Sequence, residues 1–179
     1  MIVSSTGWYT LLVVLVGLIR LVELSVAQRN LRWARERGGV ETGAGHYPAM
    51  VALHSALLLG CVVEVWLAER PFLPWLGWPM LALLVAAHAL RWWCIRTLGP
   101  QWNTRVIRVP GMPLVTGGPY RWLRHPNYVA VVVEGFALPL VHTAWITALA
   151  FTVLNALLLR VRLRVETEAL AQAPVPADH

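Results

Sequence analysis

The stretch Trp8 to Ala27, WYTLLVVLVGLIRLVELSVA, carries only Arg20 and Glu23 as charges and decides which solvent the chain is built for. A helix needs about 20 mostly apolar residues to cross the hydrocarbon layer of a bilayer, and this segment supplies them. It is too long for the apolar core of a cleavable leader, and no basic residue precedes it, so it reads as a first membrane span. Working outward, comparable stretches run from Tyr47 to Ala68, Trp75 to Cys94, Tyr128 to Val141 and Ala144 to Leu159. The sequence therefore predicts an all-α integral membrane bundle of about five transmembrane helices. Only His142 and Thr143 separate the last two, which makes them a helical hairpin. The fourth is short, and Pro139 is placed to kink its far end.

The composition agrees. Of 179 residues, 58% are hydrophobic and 13% charged, with a mean hydropathy of +0.58, a balance that no soluble domain of this size could bury in one core. The net charge of +6 does not point to nucleic acid, because the arginines flank apolar spans instead of forming a soluble stripe. Arg29, Arg32, Arg35 and Arg37 fill the first loop, and Arg96, Arg105, Arg108, Arg121 and Arg124 fill the third. Arg160, Arg162 and Arg164 follow the last span. Positive charge near span ends stays in the cytoplasm, so the N-terminus is expected outside and the odd loops inside. A chain with fifteen arginines and no lysine, rich in Ala, Leu and Val, fits a bacterial plasma membrane.

Three regions follow: spans one to three over 1–97, a cytoplasmic loop with the last two helices over 98–170, and a disordered tail over 171–179. The long loop carries Gly99, Pro100, Pro110, Gly111, Pro113, Gly117, Gly118, Pro119 and Pro126, so it is not one helix. Trp102, Tyr120 and Trp122 suit it to the membrane interface. Cys61 and Cys94 fall inside spans as small apolar residues, and no His, Cys, Asp and Glu grouping has metal-ligand spacing.

Polar chemistry gathers in two places. Gly117-Gly-Pro-Tyr-Arg-Trp-Leu-Arg-His-Pro-Asn-Tyr128 lies where the loop meets the fourth span, and an arginine or histidine at that depth calls for an anionic partner. A helix starting after Pro126 adds unpaired N–H groups and a positive dipole end. Arg162 and Glu166, spaced i,i+4 on the last helix, share a face, and the hairpin brings that face to the same side of the membrane.

The string Arg124-His125-Pro126-Asn127-Tyr128 after Gly118-Pro119-Tyr120, with Arg162-xxx-Glu166-xxx-Leu170 one span later, resembles the C-terminal half of the isoprenylcysteine carboxyl methyltransferases and their phospholipid-methyltransferase relatives. Leu98-Gly-Pro-Gln-Trp-Asn103 resembles the segment that opens the same region, so the likeness covers about Leu98 to Leu170. It implies an S-adenosylmethionine site enclosed by the loop, the RHPxY turn and the last two helices. A lipophilic substrate would reach that site from the bilayer lipids. By carry-over, His125, Pro126 and Tyr128 line the cofactor, with Tyr120 and Arg124 as helpers. Arg162 and Glu166 hold the cofactor or the reacting end of the substrate. Arginine and helix N–H groups suit the donor's carboxylate, and a glutamate suits its amino group. Ala130 stands where the family usually has glycine, Thr167 where a second glutamate is common, and the family's aromatic-rich extension does not follow Leu170.

Simpler readings stand beside these. Arg162 and Glu166 could form a surface ion pair, and Glu134, a carboxylate inside the fourth span, is either a substrate-pocket residue or the partner of an arginine. Arg20 and Glu23 are expected to pair with each other, and Glu64, His54 and His88 to make hydrogen bonds between helices, with a place in a pocket as their alternative. The implied reaction is O-methylation of a carboxyl or hydroxyl group on a small lipid. A carboxylate is already ionised, whereas a phenol calls for a base, for which Glu166, Glu134 or a histidine are the candidates. The alternatives are N-methylation of a phospholipid headgroup, or a membrane protein that is not an enzyme.

Overall fold

The computed structural model describes residues 5–171, except the side chains of Ala44 and of 168–171. Five helices make up most of it: α1 (Ser5–Arg35), α2 (Tyr47–Leu67), α3 (Pro74–Leu98), α4 (Pro126–Leu140) and α5 (Trp145–Ala171). Two short strands, β1 (Val40–Thr42) and β2 (Val106–Arg108), pair antiparallel with Val40 opposite Arg108. The tail expected over 171–179 lies, from 172 on, outside the described residues; residue 171 closes α5.

Four of the helices are long and apolar enough to cross a membrane, and the chain is an integral membrane protein with the expected all-α bundle. The fifteen residues of α4 rise only about 22 Å, short of the ~30 Å of hydrocarbon. α4 and α5 form the expected hairpin, joined through Val141 to Ala144, and Pro139 sits in the last turn of α4, one residue before its end.

In α1 the buried residues are Tyr9, Val13, Val16, Glu23, Ala27, Asn30 and Ala34, a stripe with steps of three, four and once seven residues along one face. Leu11, Val14, Leu15, Leu18, Leu21 and Val22 cover the opposite face and stay exposed, as lipid-facing side chains do. The stripe runs past the apolar segment. Asn30 donates through Nδ2 to the carbonyls of Gly99 (3.1 Å) and Trp102 (2.8 Å), and Asn103 donates to that of Ala27 (3.1 Å). These bonds fix the start of the long loop against α1.

The strands hold the same end of the bundle. Glu41 on β1 accepts from Arg105 at 2.6 Å and from Arg35 at 3.4 Å, and the Arg105 guanidinium lies 4.2 Å from the centre of the Tyr47 ring. The Arg105 hydrogen bond holds the Glu41 carboxyl below the usual carboxylate range.

At the opposite end Tyr9 donates to the carbonyl of Leu138 (3.0 Å) and Thr143 to that of Pro71 (2.7 Å). Glu64 of α2 accepts from Arg70 (3.0 Å) and from the backbone N–H groups of Ile146 (3.1 Å) and Thr147 (2.7 Å). It thereby caps α5 from another helix, the interhelical role expected of it. α4 and α5 meet closely at Gly135, where a Cβ would run into the ring of Phe151.

Two outcomes follow from this packing. Gly135→Val should cost about 1–3 kcal/mol by forcing α4 from α5, read as a lower unfolding midpoint in mixed micelles. Glu41→Gln should lower Tm at neutral pH. The folded pKa of Glu41 lies below its unfolded value near 4.3, so its contribution is full above that value and lost as pH falls through the lowered one. The gap between variant and wild type should therefore close in acid, which a Tm series against pH would show.

Candidate active site

The site begins with the entry of the chain into α4. Pro126 is buried at the first helical position, where its missing N–H would have had no partner anyway. His125 precedes it, and its carbonyl accepts from the N–H groups of Tyr128 (3.0 Å) and Val129 (3.3 Å). The His125 ring stacks on Tyr128, with centroids 5.3 Å apart and planes 12° from parallel. The turn and the stacking together hold the Tyr128 phenol toward α5.

That phenol is the centre of the site. Its hydroxyl donates to Oε2 of Glu166 and accepts from Nε of Arg162 at 2.8 Å, while the guanidinium also lies 5.2 Å from the ring centre. Arg162 and Glu166 are therefore joined through Tyr128, not as a surface pair. Arg162 is only 5% exposed, and Nη1 donates to the Met50 sulfur at 3.3 Å. His125 Nδ1 stands 3.8 Å from Glu166 Oε1, close enough to pair when protonated.

Two cavities meet here. One of about 610 Å³ lies under the long loop, bordered by Tyr120, Arg124, His125, Tyr128, Arg162 and Glu166. The other, about 230 Å³, lies among the spans and is lined by Leu21, Leu24, Val51, Leu58 and Leu158 together with polar Arg20, His54, Glu134 and Asn155. Trp102, Asn127, Tyr128 and Arg162 border both, forming a common wall. The Asn127 Oδ1 is buried without a protein partner among the described residues.

The residues named from sequence divide accordingly. Tyr120, Arg124, His125, Tyr128, Arg162 and Glu166 surround the loop-side cavity, and Pro126 shapes the turn between them. Tyr120 sits in the 3-10 turn Gly118–Arg121, and burial beside Cys94 pushes its phenol above the usual range. Glu134 lies six residues along α4 from Tyr128, about 9 Å deeper. It is an arginine partner: Arg20 reaches it with Nε at 3.1 Å and Arg91 with Nη2 at 3.0 Å. Arg20 also bonds Glu23, as its spacing predicted, and Arg91 Nε stands 3.7 Å from Glu23. Two arginines and two glutamates thus neutralise one another across α1, α3 and α4.

Sequence reasoning missed Arg91, Asn127 and Met50 as contributors. An arginine inside the third apolar stretch was a readable signal, since it needs a partner there; Asn127 sat unassigned in the RHPxY string, and nothing marked Met50. His54 borders the cavity among the spans, the pocket alternative, but neither it nor His88 makes the expected bond between helices among the described residues. His54 bonds within its own helix, to the Met50 carbonyl at 2.8 Å, and neither buried ring nitrogen of His88 has a hydrogen-bond partner among the described residues.

Comparison with known proteins gives the site its context. A sequence model of the isoprenylcysteine carboxyl methyltransferase family matches residues 80–172, which include α4, α5, the long loop and the common wall. The uncharacterized protein YpbQ of Bacillus subtilis is 36% identical over 168 residues, covering 93% of this chain and 99% of its own. An uncharacterized protein of Haemophilus influenzae is 25% identical over 156 residues, 86% of this chain and 89% of its own.

The charge lattice can be tested directly. Glu134→Ala leaves Arg20 and Arg91 facing only Glu23, and removing one partner from a buried ion pair costs about 3–5 kcal/mol. The expected result is a correspondingly lower unfolding midpoint in mixed micelles, with Glu36→Ala, an exposed residue, as the unchanged control.

Proposed function

Because the chain belongs to the isoprenylcysteine carboxyl methyltransferase family, and is a membrane methyltransferase on that ground, we propose that it uses S-adenosylmethionine to methylate the carboxyl or hydroxyl group of a small lipophilic acceptor. The observation that carries this reading is the common wall. One cavity opens under the polar loop, the other lies among apolar spans, and Tyr128 and Arg162 border both. A water-soluble donor and a lipid acceptor need such an arrangement, because each has to approach from its own solvent.

The residues under the loop fit the donor. Arg162 suits its carboxylate, and Glu166 suits its ammonium group. Asn127, with a buried oxygen lacking a protein partner, offers one more acceptor. The rings of Tyr120, His125 and Tyr128 supply flat surfaces beside them. When bound, the donor supplies a methyl group on positively charged sulfur. The protein's part is alignment and the exclusion of water. Tyr128 is held on three sides, by His125, Arg162 and Glu166, and so stays fixed where the two cavities adjoin. The composition, with fifteen arginines and no lysine, supports a bacterial plasma membrane, and arginine placement supports the N-terminus outside and this end of the bundle in the cytoplasm.

Titration of S-adenosylhomocysteine into the detergent-purified protein is the test. Binding should weaken about tenfold or more in Arg162→Ala and in Glu166→Ala, the scale of a lost charge-assisted hydrogen bond. Absence of binding, or binding that neither substitution alters, would set the reading aside.

A further inference from the structure

We propose that His54 is the general base of the acceptor side and that the acceptor reacts through a hydroxyl group. This rests on the methyltransferase reading above, and it decides between the two oxygen nucleophiles that reading leaves open.

The starting point is the inventory of proton acceptors in the cavity among the spans. Glu134 is bonded by Arg20 and by Arg91, and Glu23 is held by the same two arginines. Glu166 does not border this cavity; it lies under the loop with Tyr128 bonded to it. Among the described residues lining the cavity, every carboxylate is engaged by arginine. His54 differs. Its Nδ1 lies 2.8 Å from the carbonyl oxygen of Met50. A carbonyl can only accept, so Nδ1 carries the proton, and Nε2 is left with a free lone pair. Nε2 has no protein partner among the described residues, and the ring is held edge to face against Phe151 with centroids 5.3 Å apart. An imidazole with its tautomer fixed and its second nitrogen open is the arrangement a general base requires.

Its position fits the chemistry. Met50 touches Arg162 in the common wall, and His54 follows one helical turn later, about 6 Å further among the spans. An acceptor oxygen between the wall and His54 would have the methyl donor on one side and the base on the other. Arg162 lines the same cavity, outside the lattice of Arg20, Glu23, Arg91 and Glu134, so negative charge growing on that oxygen meets positive charge. An ionised carboxyl acceptor would use none of this, because it has no proton to lose. In the step, the acceptor O–H bond breaks and its proton moves to Nε2. The oxygen forms a bond to the methyl carbon as the carbon–sulfur bond of the sulfonium donor breaks, leaving that electron pair on sulfur. The imidazolium returns its proton to water once the product leaves.

The test uses the full chain in detergent with three probes. 4-Dodecyl-2-nitrophenol, whose phenolate absorbs in the visible, reports proton transfer without any methyl donor present. Its phenolate band should rise on binding to the wild type below its solution pKa, and should fall several-fold in His54→Gln and His54→Ala at matched occupancy. For catalysis, kcat with 4-dodecylphenol should fall about a hundredfold or more in His54→Gln, the scale of a lost general base. Methylation of N-acetyl-S-farnesylcysteine, an ionised carboxylate, should change little. Unchanged S-adenosylhomocysteine binding in the variants shows that they are folded. The proposal is overturned by a phenolate band that ignores His54, by equal losses on both acceptors, or by a wild type that takes only the carboxylate. The last two would leave the methyltransferase reading standing. Absence of S-adenosylhomocysteine binding in the wild type, with methylation of neither probe, would remove the methyltransferase reading and the proposal with it.

Discussion

Charge placed among membrane spans has to be neutralised within the protein, and here that requirement fixes three helices at once. Arg20 and Glu23 come from α1, Arg91 from α3 and Glu134 from α4, and none is satisfied without the others. An apolar bundle in lipid has little to favour one rotation of a helix over another, since the tails are as apolar as leucine. Four complementary charges remove that freedom. They set the face α1 turns inward, the same face that carries Tyr9 at one end and Asn30 at the other. The rotation of α4, set in this way, also determines where Tyr128 points.

Above the lattice the site uses one phenol to organise two charges. An arginine and a glutamate on one helical face could have paired directly and remained a surface feature. Tyr128 stands between them instead, and its ring is held by His125. The RHPxY turn is thus a mechanical unit: proline starts the helix, histidine supports the ring, and tyrosine reaches the partner helix. The loop before it is held in place by Asn30, Asn103 and the two strands.

Much of this was written in the sequence, though unevenly. Apolar runs located the helices, because a membrane span is set by composition over twenty residues. Their ends were less legible: α1 continues eight residues beyond Ala27, carried by Asn30 and Ala34 on the buried stripe, where hydropathy has already turned polar. β1 and β2 were invisible, being three residues each and paired across the whole of α2 and α3. The loop-side residues were legible through the family likeness, which names residue types but not their bonds. That Tyr128 would bridge Arg162 and Glu166, or that Glu134 would be taken up by Arg20 and Arg91, depends on contacts between helices far apart in sequence. No spacing rule reports such contacts.

The shortness of α4 bears on how the hairpin is completed in the membrane. A segment rising about 22 Å cannot span by itself, and its far end is a turn whose polar groups are answered by residues made earlier: Tyr9 bonds the Leu138 carbonyl, the Pro71 carbonyl receives Thr143, and Glu64 caps the start of α5. Released into lipid alone, that turn would carry unsatisfied backbone groups at several kcal/mol each. The far end of the hairpin is therefore complete only against α1, α2 and the segment after α2, which answer the polar groups that lipid cannot.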